Sequence, residues 1–185
     1  MYLIVGLGNP EEEYSKTRHN MGFDVLNKIS ENYNIPVEKK DFDGLIGSGM
    51  IEGQKVILLK PQTYMNDSGK SILQVKKFYK IEDENIIVIY DDIDLPEAVV
   101  KLRKKGGPGT HNGMRSVVSC LNSQNFPRVR IGTGTPEFKE LLIPYVIEKL
   151  SDKQYEILKP AIEKGAKATI DIIKSGIDLA MNINN

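Results

Sequence analysis

Three runs of consecutive apolar residues limit what this chain can fold into: Tyr2-Leu3-Ile4-Val5, Val56-Ile57-Leu58-Leu59 following Lys55, and Ile86-Ile87-Val88-Ile89-Tyr90. None alternates with polar residues, so each reads as a strand covered on both faces and bounded by polar residues. The intervening segments carry a helical period instead. Phe23, Leu26, Ile29 and Tyr33 recur on one helix face, as do Ile72, Val75 and Tyr79 within Ser68 to Tyr79. Buried strands alternating with helices predict one α/β domain with a mostly parallel or mixed sheet.

The rest of the chain adds to that frame. Val99 to Arg103 alternates apolar and basic residues, predicting a half-exposed strand, and Arg128 to Ile131 repeats the pattern. Met114 to Leu121 reads as a helix. From Asp152 the pattern is helical, with a break or bend expected at Pro160 and a stop near Gly176. Residues 137–150, with Pro144 among them, fit no single element.

Composition excludes several classes. The one cysteine, Cys120, rules out an internal disulfide framework and fits a reducing cytosol; its apolar neighbours predict a buried, inert thiol. The opening apolar run is too short for a signal peptide, and no stretch approaches the roughly 18 apolar residues of a membrane span. The expected location is therefore cytoplasmic. Several motifs fail on their mechanics. Gly6-Leu7-Gly8 follows a strand, but Glu11 holds the third glycine position of a dinucleotide fingerprint. Gly69-Lys70-Ser71 resembles the end of a phosphate-binding loop, but Tyr64 stands where its first glycine belongs. No serine occupies a nucleophile elbow. Two histidines and one cysteine without paired spacing do not make a zinc site.

Four polar clusters carry chemistry. The first is Asn9 with Tyr14 and Thr17-Arg18-His19-Asn20, where the first strand hands over to the first helix. The crevice of an open α/β sheet lies at that edge, outside the carboxyl ends of the strands. The second is Lys60-Pro61-Gln62-Thr63-Tyr64-Met65-Asn66, a polar turn after a strand. The third, Tyr90-Asp91-Asp92-Ile93-Asp94, sets acids at the end of the most apolar strand, where one could orient a histidine across the crevice. The fourth, Gly106 to Gly113, leads into a helix whose free amides could meet an anion and contains the second histidine, His111. Both histidines are followed by asparagine.

Formal net charge is zero and the pI about 6.8. From Ala98 to Pro136, however, there is no Asp or Glu, while Lys101, Arg103, Lys104, Lys105, Arg115, Arg128 and Arg130 all fall there. Such a localised field suits a phosphate backbone.

Together these motifs resemble the bacterial-type peptidyl-tRNA hydrolases. The resemblance is carried by Gly6-Leu7-Gly8-Asn9-Pro10, Tyr14, Thr17-Arg18-His19-Asn20, Lys60-Pro61, Tyr64-Met65-Asn66, Ser68-Gly69, Asp91-Asp92, Asp94-Leu95-Pro96, His111-Asn112-Gly113, and Arg128 with Arg130-Ile131-Gly132. It covers nearly the whole chain in order. It implies a single α/β domain over residues 1–185, with a twisted, mixed sheet flanked by helices. It also implies a monomeric cytosolic esterase, working without metal or organic cofactor, that cleaves peptidyl-tRNA released from stalled ribosomes. By the same resemblance His19 is the general base and Asp91 its partner. Asn9, Met65, Asn66 and Asn112 hold the substrate, Tyr14 and Tyr64 line the site near the tRNA 3′ end, and Lys101, Arg103 and Arg130 face its phosphates. Asn9, whose carboxamide can both donate and accept, is expected to recognise the amide that distinguishes peptidyl-tRNA from aminoacyl-tRNA.

The sequence departs from that pattern in three places. Glu11 and Thr110 stand where the family has glycine, and a positive φ at either would cost roughly 1 kcal/mol. Thr133 and Thr135 replace isoleucine and a longer or basic residue. The loop shapes and the reach of the basic patch are expected to differ there. Two other readings stay open on the residues alone: a nucleotide- or nucleoside-handling α/β enzyme, and an RNA-binding module without catalysis.

Overall fold

The computed structural model describes residues 1–185. In chain order the elements are β1 (Tyr2–Gly6), α1 (Met21–Tyr33), β2 (Lys39–Asp41), β3 (Gly44–Ile51), β4 (Gln54–Pro61), α2 (Ser68–Tyr79), β5 (Ile86–Asp92), β6 (Val100–Arg103), α3 (Asn112–Leu121), β7 (Arg128–Gly132), α4 (Leu142–Ile147), α5 (Asp152–Ser175) and α6 (Ile177–Asn184). The seven strands form one sheet in the order β2-β3-β4-β1-β5-β7-β6. β4, β1, β5 and β7 run parallel; β3 and β6 flank them antiparallel, and β2 pairs antiparallel with β3 at the outer edge. This is the single α/β domain with a mixed sheet expected from the apolar runs. No helix is long and apolar enough to cross a membrane.

Strand alternation divides the core between the two faces of the sheet. Ile4, Leu58, Ile87, Ile89, Val129 and Ile131 pack with Val25, Leu26 and Ile29 of α1 and with Leu158, Ala166 and Ile172 of α5. Leu3, Val5, Ile57, Leu59, Val88 and Tyr90 pack on the opposite side against Ile72 and Val75 of α2 and Met114 and Val117 of α3. Because the four central strands are parallel, their carboxyl ends gather at one edge, and the loops after β1, β4 and β5 meet there.

α1 is set unusually close to that edge. Gly6 and Gly22 face each other with no side chain between: a Cβ on Gly22 would strike the Ile89 carbonyl and lie 2.6 Å from the Leu7 nitrogen. Only glycine allows this approach, which fixes where the turn carrying His19 can sit.

Several sequence expectations are corrected. β2 and β3 carry no clear apolar signal because glycines at 44, 47 and 49 interrupt β3. Gly47 and Gly49 let Ile35 and Pro36 pack directly on that strand. Pro160 does not end the helix. α5 runs unbroken from its Ser151–Gln154 capping box to Gly176, and Pro160 lies on its exposed side. Residues 137–150 hold a 3₁₀ turn, Lys139–Leu141, followed by α4, with Pro144 in the first turn, where its missing N–H costs nothing. β7 does not alternate in exposure, since Arg128 is fully buried. Cys120 is half-buried rather than buried. The free edge of β6 is closed by one carboxamide: Asn185 accepts from the Leu102 N–H at 2.7 Å and donates to the Leu102 carbonyl at 2.9 Å.

One group in the α1–α5 contact is held against its preferred state. Asp24 is mostly buried, and desolvation raises its carboxyl to about 6, despite a hydrogen bond from the Tyr155 hydroxyl at 3.0 Å and the charge of Lys60. A raised carboxyl pKa means that folding favours the protonated form. That contribution is present below the ordinary value of 3.8 and lost as pH rises through about 6. Asp24→Asn is therefore expected to stabilise the fold by up to about 2 kcal/mol at pH 8, with the gain shrinking toward pH 4. Denaturant unfolding at both pH values checks this, and an equal gain at both would contradict it.

Candidate active site

The loops at the carboxyl edge enclose a crevice of about 380 Å³. Asn9, Tyr14, His19, Tyr64, Met65, Asn66, Asp91, Arg103, Asn112 and Arg130 all line it, brought together from six separate stretches of chain. Of the site residues that the family resemblance implies, Lys101 alone lies outside the lining; it is exposed on the edge strand beside Arg130.

Asp91 is the centre of the site. It ends the buried part of β5, is 1% exposed, and its two carboxylate oxygens are shared between the two histidines of the chain. His19 Nδ1–H donates to Oδ2 at 2.7 Å and His111 Nε2–H donates to Oδ1 at 2.8 Å. The tautomers follow from this network. His111 Nδ1 accepts from the Met114 N–H at 3.2 Å, capping α3, so its proton is on Nε2. His19 gives its Nδ1 proton to Asp91, which leaves Nε2 free on the crevice side. Burial alone would lower the His19 pKa, but the charge of Asp91 and its hydrogen bond outweigh that and raise it. Burial pushes the Asp91 carboxyl up, yet the two imidazoles hold it well below the usual carboxylate range. His111 was passed over as a site residue in the sequence. The signal that could have found it is that both histidines precede asparagine at the same sheet edge.

Asn9 is tied down on three sides. Its N–H donates to Asn20 Oδ1 at 2.8 Å, its carbonyl accepts from Asn20 Nδ2 at 3.0 Å, and its Oδ1 accepts from the Met65 N–H at 2.7 Å. The expected double role of its carboxamide toward substrate is narrowed by this bond, which engages Oδ1 inside the protein. The NH₂ is what remains for a ligand. The bond also explains Met65, which is buried and serves to join the first two loops. Asn66 and Asn112 are exposed at the crevice and keep freer amides.

Glu11 does adopt a positive φ of 83°, and Tyr64, opposite it, one of 60°. Their side chains meet in a hydrogen bond from the Tyr64 hydroxyl to Glu11 Oε1, which raises the Tyr64 pKa, and Tyr14 packs edge-on against Tyr64 at 6.5 Å. Thr110 carries no such strain, because the left-handed conformation falls on Gly109. Thr135 Oγ1 donates to the Ile93 carbonyl at 2.6 Å, and Thr133 is buried.

The cationic face is smaller than the sequence suggests. Arg128 is enclosed: Nε donates to the Phe126 carbonyl at 2.8 Å, Nη1 to Gly107 at 3.3 Å, and Nη2 to Gly106 and Gln124. It braces the glycine loop and cannot reach a ligand. Arg130 Nε pairs with Asp92 Oδ2 at 2.9 Å and Lys104 with Asp178 at 3.2 Å. Lys101, Arg103, Lys105 and Arg115 remain exposed. Opposite in character is α4, whose Leu142, Ile143, Val146 and Ile147 give the crevice an apolar wall. Nothing in residues 137–150 marks it beforehand, because no element is assignable there from periodicity. The donor atoms of His19, Asp91 and His111 lie within 4.8 Å of one another, but both carboxylate oxygens already accept imidazole N–H groups.

A family model for peptidyl-tRNA hydrolase matches residues 3–185. The chain belongs to the peptidyl-tRNA hydrolase family. A peptidyl-tRNA hydrolase from Clostridium botulinum (strain Langeland) is 49% identical over 185 residues, covering 100% of this chain and 97% of the relative. The crystal structure of peptidyl-tRNA hydrolase from Acinetobacter baumannii superposes with a TM-score of 0.92 at 40% identity, covering 100% of this chain and 94% of that one. A 5′-methylthioadenosine/S-adenosylhomocysteine nucleosidase from Neisseria meningitidis reaches a TM-score of 0.50 at 9% identity, covering 95% of this chain and 100% of that one; this is a likeness of fold alone.

If Asp91 sets the basicity of His19, its replacement exposes the burial effect. Asp91→Asn is expected to move the rising limb of the pH–rate profile to lower pH, because the desolvation that disfavours imidazolium is then unopposed. The parent's limb should lie above the usual imidazole value. A profile unmoved by the substitution would remove Asp91 from this role.

Proposed function

We propose that His19 is the general base of peptidyl-tRNA ester hydrolysis and that Asp91 orients it, with the crevice taking the peptide on one side and the tRNA end on the other. As a member of its family the protein is a hydrolase of the ester joining peptide to tRNA. The observation that carries the residue assignment is the buried Asp91 carboxylate held between His19 and His111, with His19 Nε2 left open to the crevice.

The reaction then runs as follows. Nε2 takes a proton from water as the water oxygen bonds to the peptide's last carbonyl carbon, and the carbonyl becomes an oxyanion. The Asn9 NH₂, the one part of that side chain without a partner, is suited to donate to the oxyanion, with the Asn66 and Asn112 amides as further donors. The ester C–O bond breaks, and the imidazolium returns its proton to the leaving ribose oxygen. Asp91 stabilises the imidazolium, and His111 keeps the carboxylate in place. Tyr14 and Tyr64 offer stacking surfaces at the mouth for the terminal bases. Lys101 and Arg103 face the phosphates, while Arg130, already paired with Asp92, contributes less free charge. We take the chain, residues 1–185, to act as one cytoplasmic monomer, since every group in this scheme comes from a single copy.

An RNA-binding module would have no use for the His19–Asp91 pair, and kinship with the nucleosidase stops at the fold. The test is direct. His19→Ala is expected to lower single-turnover cleavage of N-acetyl-aminoacyl-tRNA by at least about a thousandfold with tRNA affinity changed only a few-fold. Near-parental turnover would refute the assignment.

The cationic face makes a second test. Arg103→Ala is expected to reduce the slope of log affinity against log salt by about 1, Arg130→Ala by less because Asp92 is released with it, and Lys101→Ala to resemble Arg103→Ala. Salt titration of tRNA binding reads all three. An unchanged slope for Arg103→Ala would mean that the phosphates run elsewhere.

A further inference from the structure

Arg18 adjoins His19 in the chain and is one of the few charged side chains that the fold buries, at 6% exposure. Burying a guanidinium is costly unless its donors are used. Nη1 donates to the Tyr145 carbonyl at 2.9 Å and to Glu148 Oε1 at 2.9 Å, and the guanidinium carbon lies 3.6 Å from the Tyr145 ring centroid. Tyr145 in turn donates its hydroxyl to the Thr133 carbonyl at 2.7 Å. Arg18 Nε stays buried without a partner, so hydrogen bonding within the loop does not account for the burial.

What Arg18 holds is α4. Six residues are far too few to keep a helix formed on their own, and only Val146 among its side chains is buried. The Tyr145 carbonyl lies in the last turn, where no intrahelical N–H can reach it. Arg18 satisfies it and places a cation at the negative end of the helix. Two further bonds join the same segments: Leu150 N–H to the Lys16 carbonyl at 2.9 Å, and Lys149 Nζ to the Glu12 carbonyl at 2.8 Å. The apolar wall of the crevice thus hangs from the loop that carries the base.

We propose that Arg18 is a positioning residue for the hydrolysis: it fixes α4 so that Leu142, Ile143, Val146 and Ile147 form the surface against which the last side chain of the peptide packs. This rests on the reading of the crevice as the peptidyl ester site. The peptide is the occupant because it is the apolar part of the substrate that must adjoin the scissile carbonyl, and the wall is continuous with His19 in the same crevice. Freeing α4 then penalises a substrate in proportion to the side chain it would have packed there.

The experiment compares N-acetyl-phenylalanyl-tRNA with N-acetyl-glycyl-tRNA as substrates for the full-length protein. Arg18→Ala is expected to raise KM roughly tenfold for the phenylalanyl ester, an effect that one partly buried apolar side chain can supply, and less than about twofold for the glycyl ester. kcat should stay within about threefold on both. Arg18→Lys keeps the charge but loses the planar stack, so it should recover only part of the effect. Tyr145→Leu attacks the same clasp from α4 and should reproduce the side-chain-dependent KM, which decides the matter should Arg18→Ala fold poorly. Equal KM increases for the two esters, or equal losses of kcat, would overturn the proposal, as would parental kinetics in both Arg18→Ala and Tyr145→Leu. Failure of the parent protein to cleave either ester would instead overturn the hydrolase reading, and the proposal with it.

Discussion

The carboxylate of Asp91 is the interaction on which the site depends. A buried carboxylate is tolerated only if its oxygens are satisfied, and both are, by imidazole N–H groups from opposite sides of the crevice. Each bond also selects a tautomer. His19 is turned so that its second nitrogen is open, and His111 so that its second nitrogen caps α3. One buried charge therefore joins the end of β5, the turn before α1 and the start of α3, and it fixes the orientation of both imidazoles as a consequence of being satisfied. Two histidines suffice because neither is spent on the surface.

Around this centre the crevice is asymmetric in a way that matches a substrate of two chemistries. Exposed cations lie along β6 and α3, while α4 supplies aliphatic side chains. The cations most deeply set, Arg18 and Arg128, do not face ligand. Both donate to backbone carbonyls and stack on an aromatic ring, Tyr145 and Phe126 respectively. Each braces a loop that borders the crevice. Arginine suits this work because its planar fork serves several carbonyls at once while its face lies on the ring.

Much of this was legible beforehand, for reasons that differ between elements. Three of the four parallel strands, β1, β4 and β5, follow from continuous apolar runs, and α1 and α2 from a clean helical period. β7 follows only as a strand, its basic residues hiding how deeply it lies. The polar clusters at their carboxyl ends follow from the rule for open α/β sheets. β2 and β3 were silent because their pairing is backbone to backbone and glycine erases the side-chain pattern. α4 was silent because a six-residue helix held by Arg18, a residue more than a hundred positions away, leaves no periodicity to read. Charge was legible as composition but not as accessibility: Arg128 and Arg130 alternate with apolar residues as surface cations would, yet one is enclosed and the other paired. Asn9 lines the crevice, but the use of its acceptor by the Met65 amide leaves no trace in the sequence, since that bond joins loops 56 positions apart.

One departure from the family pattern, Glu11, falls where strain can be supported. Glu11 and Tyr64 both combine a positive φ with an extended ψ, a region that costs a residue with a side chain on the order of 1–3 kcal/mol. Such conformations persist only where neighbours over-determine them. Here the neighbours are specific. The Gly6–Gly22 contact leaves α1 no freedom to move away from β1, Asn9 ties the first loop to Met65, and Met65 follows Tyr64 directly. With both ends of each loop fixed, the residues between must take whatever dihedrals close the gap. The Glu11–Tyr64 hydrogen bond then joins the two strained positions to each other. The strain thus accompanies the joining of the first two loops to each other, beside the crevice that Tyr64 lines.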